Sequence, residues 1–340
     1  MLVRAITSEE LHAVLARYAI GALIAPPAPA GGTANANLKL SAASGEYFLR
    51  RRNPRYSAED FVAFDHALMT HMARYNVRTP RAVASRSGKT WVRIGEAVYE
   101  LFHCQPGGPH DRHSMAQLAS AGRALAGYHR AARDFSPPPG GAPPAGKDWP
   151  RYDDPRLIHA GIRDIEAELR QRLTADDLDY LMSQVALLER ELPDERYHVL
   201  PKLVVHGDYH PGNLKFLADE VAGIFDLDWA TVQPRARDLA DGIFLFAGER
   251  DGDIDASNIS SLTQTWRPSV ERGGVFMGAY LASETVTEEE VAALPVLIRA
   301  RWLYCRVAGM AKVDPAQRVE YFAAGLLEPL RMLDRMERLF

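Results

Sequence analysis

The chain has 340 residues, with 40 Lys and Arg against 44 Asp and Glu and a formal net charge of −4 at pH 7. That length gives room for two lobes and a large core, and the mild acidity excludes a general nucleic-acid binder. Two cysteines, Cys104 and Cys305, exclude a disulfide framework, no apolar run is long enough to cross a bilayer, and the N-terminus lacks a secretion-signal pattern, so a reduced cytoplasmic setting without a membrane partner is expected.

Residues Leu2 to Ile20 predict a helix, with Ser8 before Glu9 and Glu10 in its N-cap region. Ala25 to Gly32, rich in proline, breaks it. Runs suited to strands follow at Ala36–Ser41 and Glu46–Arg51, turned by Ser44-Gly45. Asp60 to Tyr75 has helical spacing, and Thr90–Ile94 with Ala97–Phe102 reads as a hairpin through Gly95. Strands, one helix and more strands suit a small antiparallel sheet with a helix packed on it. Beyond Pro106-Gly107-Gly108 the pattern turns helical: Ser114–Phe135, Pro155–Leu173, Ala175–Leu192 and nearly all of Leu239–Phe340, with Ser136–Pro144 an irregular loop.

The most specific stretch runs from Val204 to Leu214. An apolar strand enters it, and the next residues set Asp208, His206, His210, a Pro211-Gly212 turn and Asn213 on one loop. Thirteen residues past Asn213 stands Asp226, in Gly223-Ile224-Phe225-Asp226-Leu227-Asp228-Trp229. A carboxylate, an Asn five residues on and a second carboxylate after a short hairpin are what phosphoryl transfer needs. Asp208 would face the acceptor hydroxyl as acid/base, and Asn213 and Asp226 would hold Mg²⁺ against nucleotide phosphates. Singly, each has a plainer reading: an Asx-turn residue, a residue following a turn, a strand-end acid. Their joint spacing favours the chemistry. His206 and His210 admit a Zn²⁺-hydrolase reading, but no convincing second histidine cluster completes it; His103, His110 and His113 follow a strand beside Gly and Pro. Residues 1–100 hold 13 Lys and Arg against 8 Asp and Glu, and the remainder 27 against 36. This suits a lobe that meets phosphates and one that meets metal and a cationic acceptor, or simply a solvated surface.

The stretch resembles the aminoglycoside phosphotransferase and choline kinase superfamily, which shares the protein-kinase-like fold. Its H-G-D-x-H-x-x-N and following D-x-D or D-W patterns are both complete here, and the specific part spans Leu203 to Phe246. The resemblance implies an α+β, two-lobed fold: residues 1–103 as a small antiparallel-sheet N-lobe that binds nucleotide, and 104–340 as a larger, mainly helical C-lobe with catalytic loop and acceptor site. It implies ATP and Mg²⁺ as cofactors and a hydroxyl-bearing small molecule as partner. Arg50 would take the place of the usual phosphate-binding lysine, with Asp65 as its partner acid. The backbone of Leu101, Phe102, His103 and Cys104 would form the hinge that meets adenine, and Gly31–Asn37 the loop over the phosphates. Asp238 would steady the catalytic loop, His206 would lock it, and His210 would lie near Asp226. Asp228 stands open between reaching the metals and capping the next turn.

Only nine residues separate Asp228 from Asp238, too few for a peptide-docking loop. A small acceptor follows, with Trp149, Trp229, Trp266, Trp302, Tyr304, Asp241 and Glu249 as candidates to line its site; rings and acids suit an amine-bearing alcohol or sugar. Tyr47–Arg50 and Leu125–His129 look most like the homoserine kinase and choline kinase side of the superfamily. A nucleotide-binding module without turnover is the competing reading, because the lysine and glycine-loop positions are unusual.

Overall fold

The first hundred residues build a five-stranded antiparallel sheet, order β1-β2-β3-β5-β4. In chain order the elements are α1 (Ser8–Leu15), β1 (Ala28–Ala30), β2 (Ala36–Ala42), β3 (Gly45–Arg51), α2 (Glu59–Arg74), β4 (Trp91–Ile94) and β5 (Ala97–His103). The structure is a computed structural model that describes residues 4–31, 35–137, 143–147, 151, 154–254, 258–336 and 340. Helix α1 is shorter than the sequence predicts, and Thr7 rather than Ser8 caps it, in a reciprocal box with Glu10. β1 was not expected from its proline-rich stretch. It is an edge strand, where a missing N–H is tolerated.

Alternation along β3 sorts its side chains by face. Tyr47 and Leu49 join Leu11, Val14, Leu40, Tyr99 and Leu101 in an apolar core beneath α1. Arg51 shares that face and reaches Glu10 at 3.4 Å. Arg50 points the other way and stands opposite Glu100 in the β3–β5 register. Helix α2 sends Phe64, Leu68 and Met72 into the larger core that continues through the rest of the chain.

That larger part contains α3 (Met115–Arg133), α4 (Pro155–Arg163), α5 (Glu166–Arg172), α6 (Ala175–Glu191) and α7 (Asp194–Val199). The helix predicted over Pro155–Leu173 is two, broken at Asp164 and Ile165, where Ile165 leaves helical geometry and is buried. Three short strand pairs follow. β6 (Lys202–Val205) pairs with β9 (Thr231–Pro234), and β7 (Leu214–Leu217) with β8 (Glu220–Ile224). After α8 (Ala236–Gly242) and a five-residue π-type turn, Ile243–Ala247, β10 (Glu249–Arg250) pairs with β11 (Trp266–Arg267). Helices α9 (Val270–Leu281), α10 (Glu288–Met310), α11 (Arg318–Ala323) and α12 (Leu327–Arg335) complete the chain.

Trp266 and Trp302 stack at 6.0 Å in the core. Their indole N–H groups donate to the carbonyls of Phe244 and Leu326. They are packing residues, not acceptor-site walls as the sequence suggested: both are large, apolar and fully buried. No helix among the described residues is long and apolar enough to cross a membrane.

Helices α3 and α9 touch most closely at Gly122, where a Cβ would sit 2.3 Å from the Phe276 carbonyl oxygen. Backbone cannot yield as a flexible side chain can. Gly122→Val is therefore expected to lower the unfolding free energy by about 1–3 kcal/mol, read as a fall in the urea midpoint at unchanged slope.

Candidate active site

Strand β6 delivers the chain into the loop 206–213, and one buried acid holds that loop in shape. Asp238, on the first turn of α8, accepts the His206 N–H at 2.7 Å and the Gly207 N–H at 2.9 Å. His129 of α3 lies 3.2 Å from the same carboxylate and 2.8 Å from the Tyr280 hydroxyl. Gly207 has φ +79°, and a Cβ there would stand 2.5 Å from the Trp229 carbonyl, so the turn needs glycine. His206 completes the lock. Nε2 donates to the Phe225 carbonyl at 2.9 Å, and Nδ1 accepts the Asp208 N–H at 3.3 Å. Burial depresses its pKa and keeps the ring neutral, as this donor–acceptor pattern requires. Both nitrogens being used, the ring has none for zinc; among the described residues no three or more His, Cys, Asp or Glu gather as a metal cluster.

Asp208 faces outward from this locked loop. Arg301 of α10 donates to its Oδ1 at 3.1 Å, and His210 lies 3.3 Å from its Oδ2. His210 thus pairs with Asp208 while staying near enough to Asp226, as the sequence reading expected, to interact with its charge, and its Nδ1 accepts the Gly212 N–H. Burial acts to raise Asp208, but His210 and Arg301 outweigh it and hold the carboxyl well below its usual range. Arg301 also meets the buried Asp241 at 3.0 Å. Burial pushes Asp241 up to about 7 although Arg301 works against it.

Asn213 donates its amide nitrogen to the Asp208 carbonyl at 2.9 Å, an orientation in which Oδ1 is not used by that bond. Its own carbonyl accepts the Phe225 N–H at 2.8 Å, so Asn213 and the segment entering Asp226 are held side by side. Asp226 sits at φ 63°, ψ 68°, a left-handed conformation that costs a non-glycine residue energy and clusters at functional sites. Burial and then Asp228 raise its pKa. Crowded carboxylates of this kind, with an amide oxygen alongside, suit a hard divalent cation.

The expected Arg50–Asp65 pair is not formed. Arg50 meets Glu100 at 2.8 Å, Asp228 at 3.1 Å and Asp226 at 3.5 Å. Asp65 instead meets Arg52 at 2.6 Å and Lys147 at 2.7 Å. The cause is the strand repeat. Arg50 and Arg52 share a face about 6.6 Å apart; Glu100 is directly across from the first, and α2 brings Asp65 to the second. Arg52 also reaches Glu100 at 2.9 Å and Asp228 at 3.1 Å. Asp228, left open by the sequence, accepts from Asn35 at 3.0 Å as well, so it anchors the segment.

Glu100 was missed by the sequence reading, and the signal that could have found it is its place as the lone acid in the apolar run of β5, opposite a basic strand. Lys147 and Arg301 carried no signal, for each comes from a distant element. In the expected adenine-binding segment, the Leu101 carbonyl accepts from Val83, and the His103 and Cys104 N–H groups donate to Arg81 and Glu46. These groups are taken up by backbone hydrogen bonds of the sheet and its neighbours. Of the expected phosphate loop, residues 32–34 lie outside the described residues, as does Trp149.

A two-lobed arrangement with an outward Asp208 beside Asn213 and Asp226 defines a protein-kinase-like phosphotransferase. The model of the phosphotransferase enzyme family matches residues 27–268. The chain is 28% identical over 331 residues to the homoserine kinase of Rhodopseudomonas palustris, covering 93% of this chain and 90% of that one. It is 27% identical over 327 residues to the homoserine kinase of Methylocella silvestris, covering 94% and 92%. A microcompartment-associated aminopropanol kinase superposes with TM-score 0.67 at 17% identity, over 94% of this chain and 95% of its own. An amicoumacin kinase in complex with AMP-PNP and Ca²⁺ superposes at 0.66 and 14% identity, over 97% and 94%. The chain belongs to the phosphotransferase enzyme family. It is an ATP-dependent small-molecule kinase whose acceptor group is a hydroxyl.

The His210–Asp208 pair makes a pH-dependent contribution to stability. Burial alone would lower His210, but Asp208 raises it above the ordinary 6.5. The contribution is full below the unfolded pKa and is lost as pH rises through the raised folded pKa. His210→Ala should therefore destabilise more at about pH 6 than at about pH 9. Urea unfolding at both pH values checks this, and equal losses would contradict the pairing.

Proposed function

We propose that Asp208 is the catalytic acid/base, and that Asn213 and Asp226 are the protein ligands of Mg²⁺. The observation that carries this is the Asn213 amide turned by the Asp208 carbonyl, side by side with the strained approach to Asp226. In this reading the acceptor hydroxyl binds to Asp208, which orients it and takes its proton as the oxygen attacks the γ-phosphorus; ADP leaves. A carboxylate held ionised by His210 and Arg301 is ready for that at neutral pH. A loose transition state asks for positioning more than for a strong base. Mg²⁺, when bound, supplies neutralisation of the β- and γ-phosphate oxygens.

Arg50 is proposed to bind the α- and β-phosphates, with Glu100 and Asp228 holding its guanidinium fork in place. Asp65 acts one step back, through Arg52. Adenine would lie against the Phe102–His103 end of β5. The boundary near 103/104 would then divide a nucleotide lobe, 1–103, from an acceptor lobe, 104–340. The full set of Asp208, Asn213 and Asp226 supports turnover over a binding module that lacks it. Homoserine, on the names of the relatives, is the first acceptor to test, and a cytoplasmic location suits such a kinase.

Asp208→Asn should leave ATP binding nearly intact and lower turnover by roughly 10²–10⁴, measured by coupled ADP release; near-normal turnover would sink the assignment. Asp226→Ala should abolish Mg²⁺-dependent nucleotide binding, and Asn213→Ala should weaken it less, because an anionic ligand counts for more than a neutral one. Calorimetric titration with Mg·ATP separates the two variants. Unchanged affinity in both would remove the metal site.

A further inference from the structure

Helix α8 carries two buried acids three residues apart, a spacing that puts both on one side of the helix. The first, Asp238, holds the backbone of the loop 206–213 through the N–H groups of His206 and Gly207. The second, Asp241, is 1% exposed. It is closed to solvent, so it does not itself wall an acceptor site as the sequence suggested. Arg301 Nε, from α10, comes within 3.0 Å of its Oδ1, yet neither Asp241 oxygen has an aligned hydrogen bond among the described residues. Burying a carboxylate is costly unless it is paired and hydrogen-bonded. Packing alone gives no reason for an acid at this position.

The same guanidinium reaches the loop. Arg301 Nη2 donates to Asp208 Oδ1 at 3.1 Å. Nε and Nη2 lie along one edge of a guanidinium, and such an edge can meet a single carboxylate through two parallel bonds. Here it is divided between two carboxylates, one on α8 and one on the loop. The other oxygen of Asp208, Oδ2, is met by His210 Nε2 at 3.3 Å and by the Asn213 amide nitrogen at 3.4 Å. Rotation about the Cβ–Cγ bond of an aspartate is broad, with no sharp preferred angle. Partners on both oxygens are therefore what fix the plane of this carboxylate. His210 and Asn213 belong to the same loop as Asp208. Arg301 is the partner that refers the carboxylate to the helices behind the loop.

We infer that Asp241 and Arg301 are positioning residues for phosphoryl transfer: Asp241 aims the Arg301 guanidinium, and Arg301 sets the plane of the Asp208 carboxylate toward the acceptor hydroxyl. This deepens the function proposed above and rests on Asp208 carrying the chemistry. Helix α8 then fixes both parts of one residue, the backbone through Asp238 and the side chain through Asp241. Misplacing a reacting group by about 1 Å costs about 10²-fold in rate, which is the scale on which such a pair acts.

The test follows ADP release by the full chain with Mg·ATP and homoserine, beside calorimetric affinity for Mg·ATP. In Arg301→Ala kcat should fall by about 10–10²-fold while the affinity for Mg·ATP stays unchanged. Arg301→Lys should recover part of the loss, since an ammonium keeps the charge but lacks the fork that spans two carboxylates. Asp241→Asn, close in shape, should lower kcat by itself and add nothing in the Arg301→Ala background, because it acts through Arg301. Arg299→Ala removes a neighbouring α10 arginine that pairs with Asp334, and its kcat should be unchanged. Additive losses from Asp241 and Arg301, an equal loss in Arg299→Ala, or unaltered kcat in the Arg301 variants would overturn the inference. A raised KM for homoserine at unchanged kcat would make Arg301 a binding residue and overturn it too. Crystal structures need no acceptor. In Arg301→Ala, or in Asp241→Asn should the first not fold, the Asp208 carboxylate should turn about Cβ–Cγ relative to the unaltered protein, and an unmoved plane would overturn the inference whatever the rates. Normal turnover in Asp208→Asn would remove the role of Asp208 and this inference with it. Lost turnover there, beside unaffected Arg301 and Asp241 variants, would remove this inference alone.

Discussion

A buried ionic lattice joins the sheet to the segment after β8 that carries Asp226 and Asp228. Arg50 and Arg52 from one face of the strand, Glu100 from the next strand, Asp65 from α2, Lys147 from the proline-rich connection and Asp228 from the segment after β8 are linked through successive ion pairs, with Arg52 joining Asp65, Glu100 and Asp228. Each of these side chains is nearly or fully buried. Removing one partner leaves a buried charge uncompensated, which costs several kcal/mol. Such a lattice tolerates little displacement of its members. The strand face that carries Arg50 and the loop that carries Asp226 are thereby held in one relation.

A second, smaller lock works on the loop 206–213, and it uses neutral as well as charged groups. Asp238 takes two loop N–H groups, while His129 and Tyr280 hold the acid from behind. His206 turns one ring into a brace between the loop and the strand end that precedes Asp226. The two locks meet at residues 225–228. This is where the chain accepts a left-handed aspartate, and the neighbouring bonds supply what keeps that strained conformation populated. Charge follows the same division. Asp208, held by His210 and Arg301, sinks below its ordinary range, and Asp226, buried and crowded by Asp228, is raised.

The surroundings of the π-type turn are made differently. The π-type turn ends in carbonyls that draw in Arg250 and Arg272, so cations collect near the loop that carries Asp208. Net charge concealed this: the chain is acidic as a whole, and its later part more so than its first hundred residues. Function at a cavity depends on which charges face it, not on their sum.

Local order determined a great deal by itself. The loop 206–213 and Asp226 were legible because turn chemistry and ligand type are properties of adjacent residues, and a short hairpin leaves little freedom in how they meet. Alternation placed Arg50 and Arg51 on opposite faces, and the structure has them so. The break at Ile165 and the burial of Trp266 and Trp302 were decided by packing against elements far along the chain, and the edge strand at Ala28–Ala30 by its pairing with the neighbouring β2. So were the partners of the charges. A sequence shows that Arg50 needs an acid, but Glu100, Asp65 and Asp228 are all within plausible reach, and only the register of β3 on β5 and the seating of α2 select among them. Lys147 and Arg301 show the limit most clearly. Nothing near either residue marks it, because what defines each is a carboxylate brought to it by the tertiary fold.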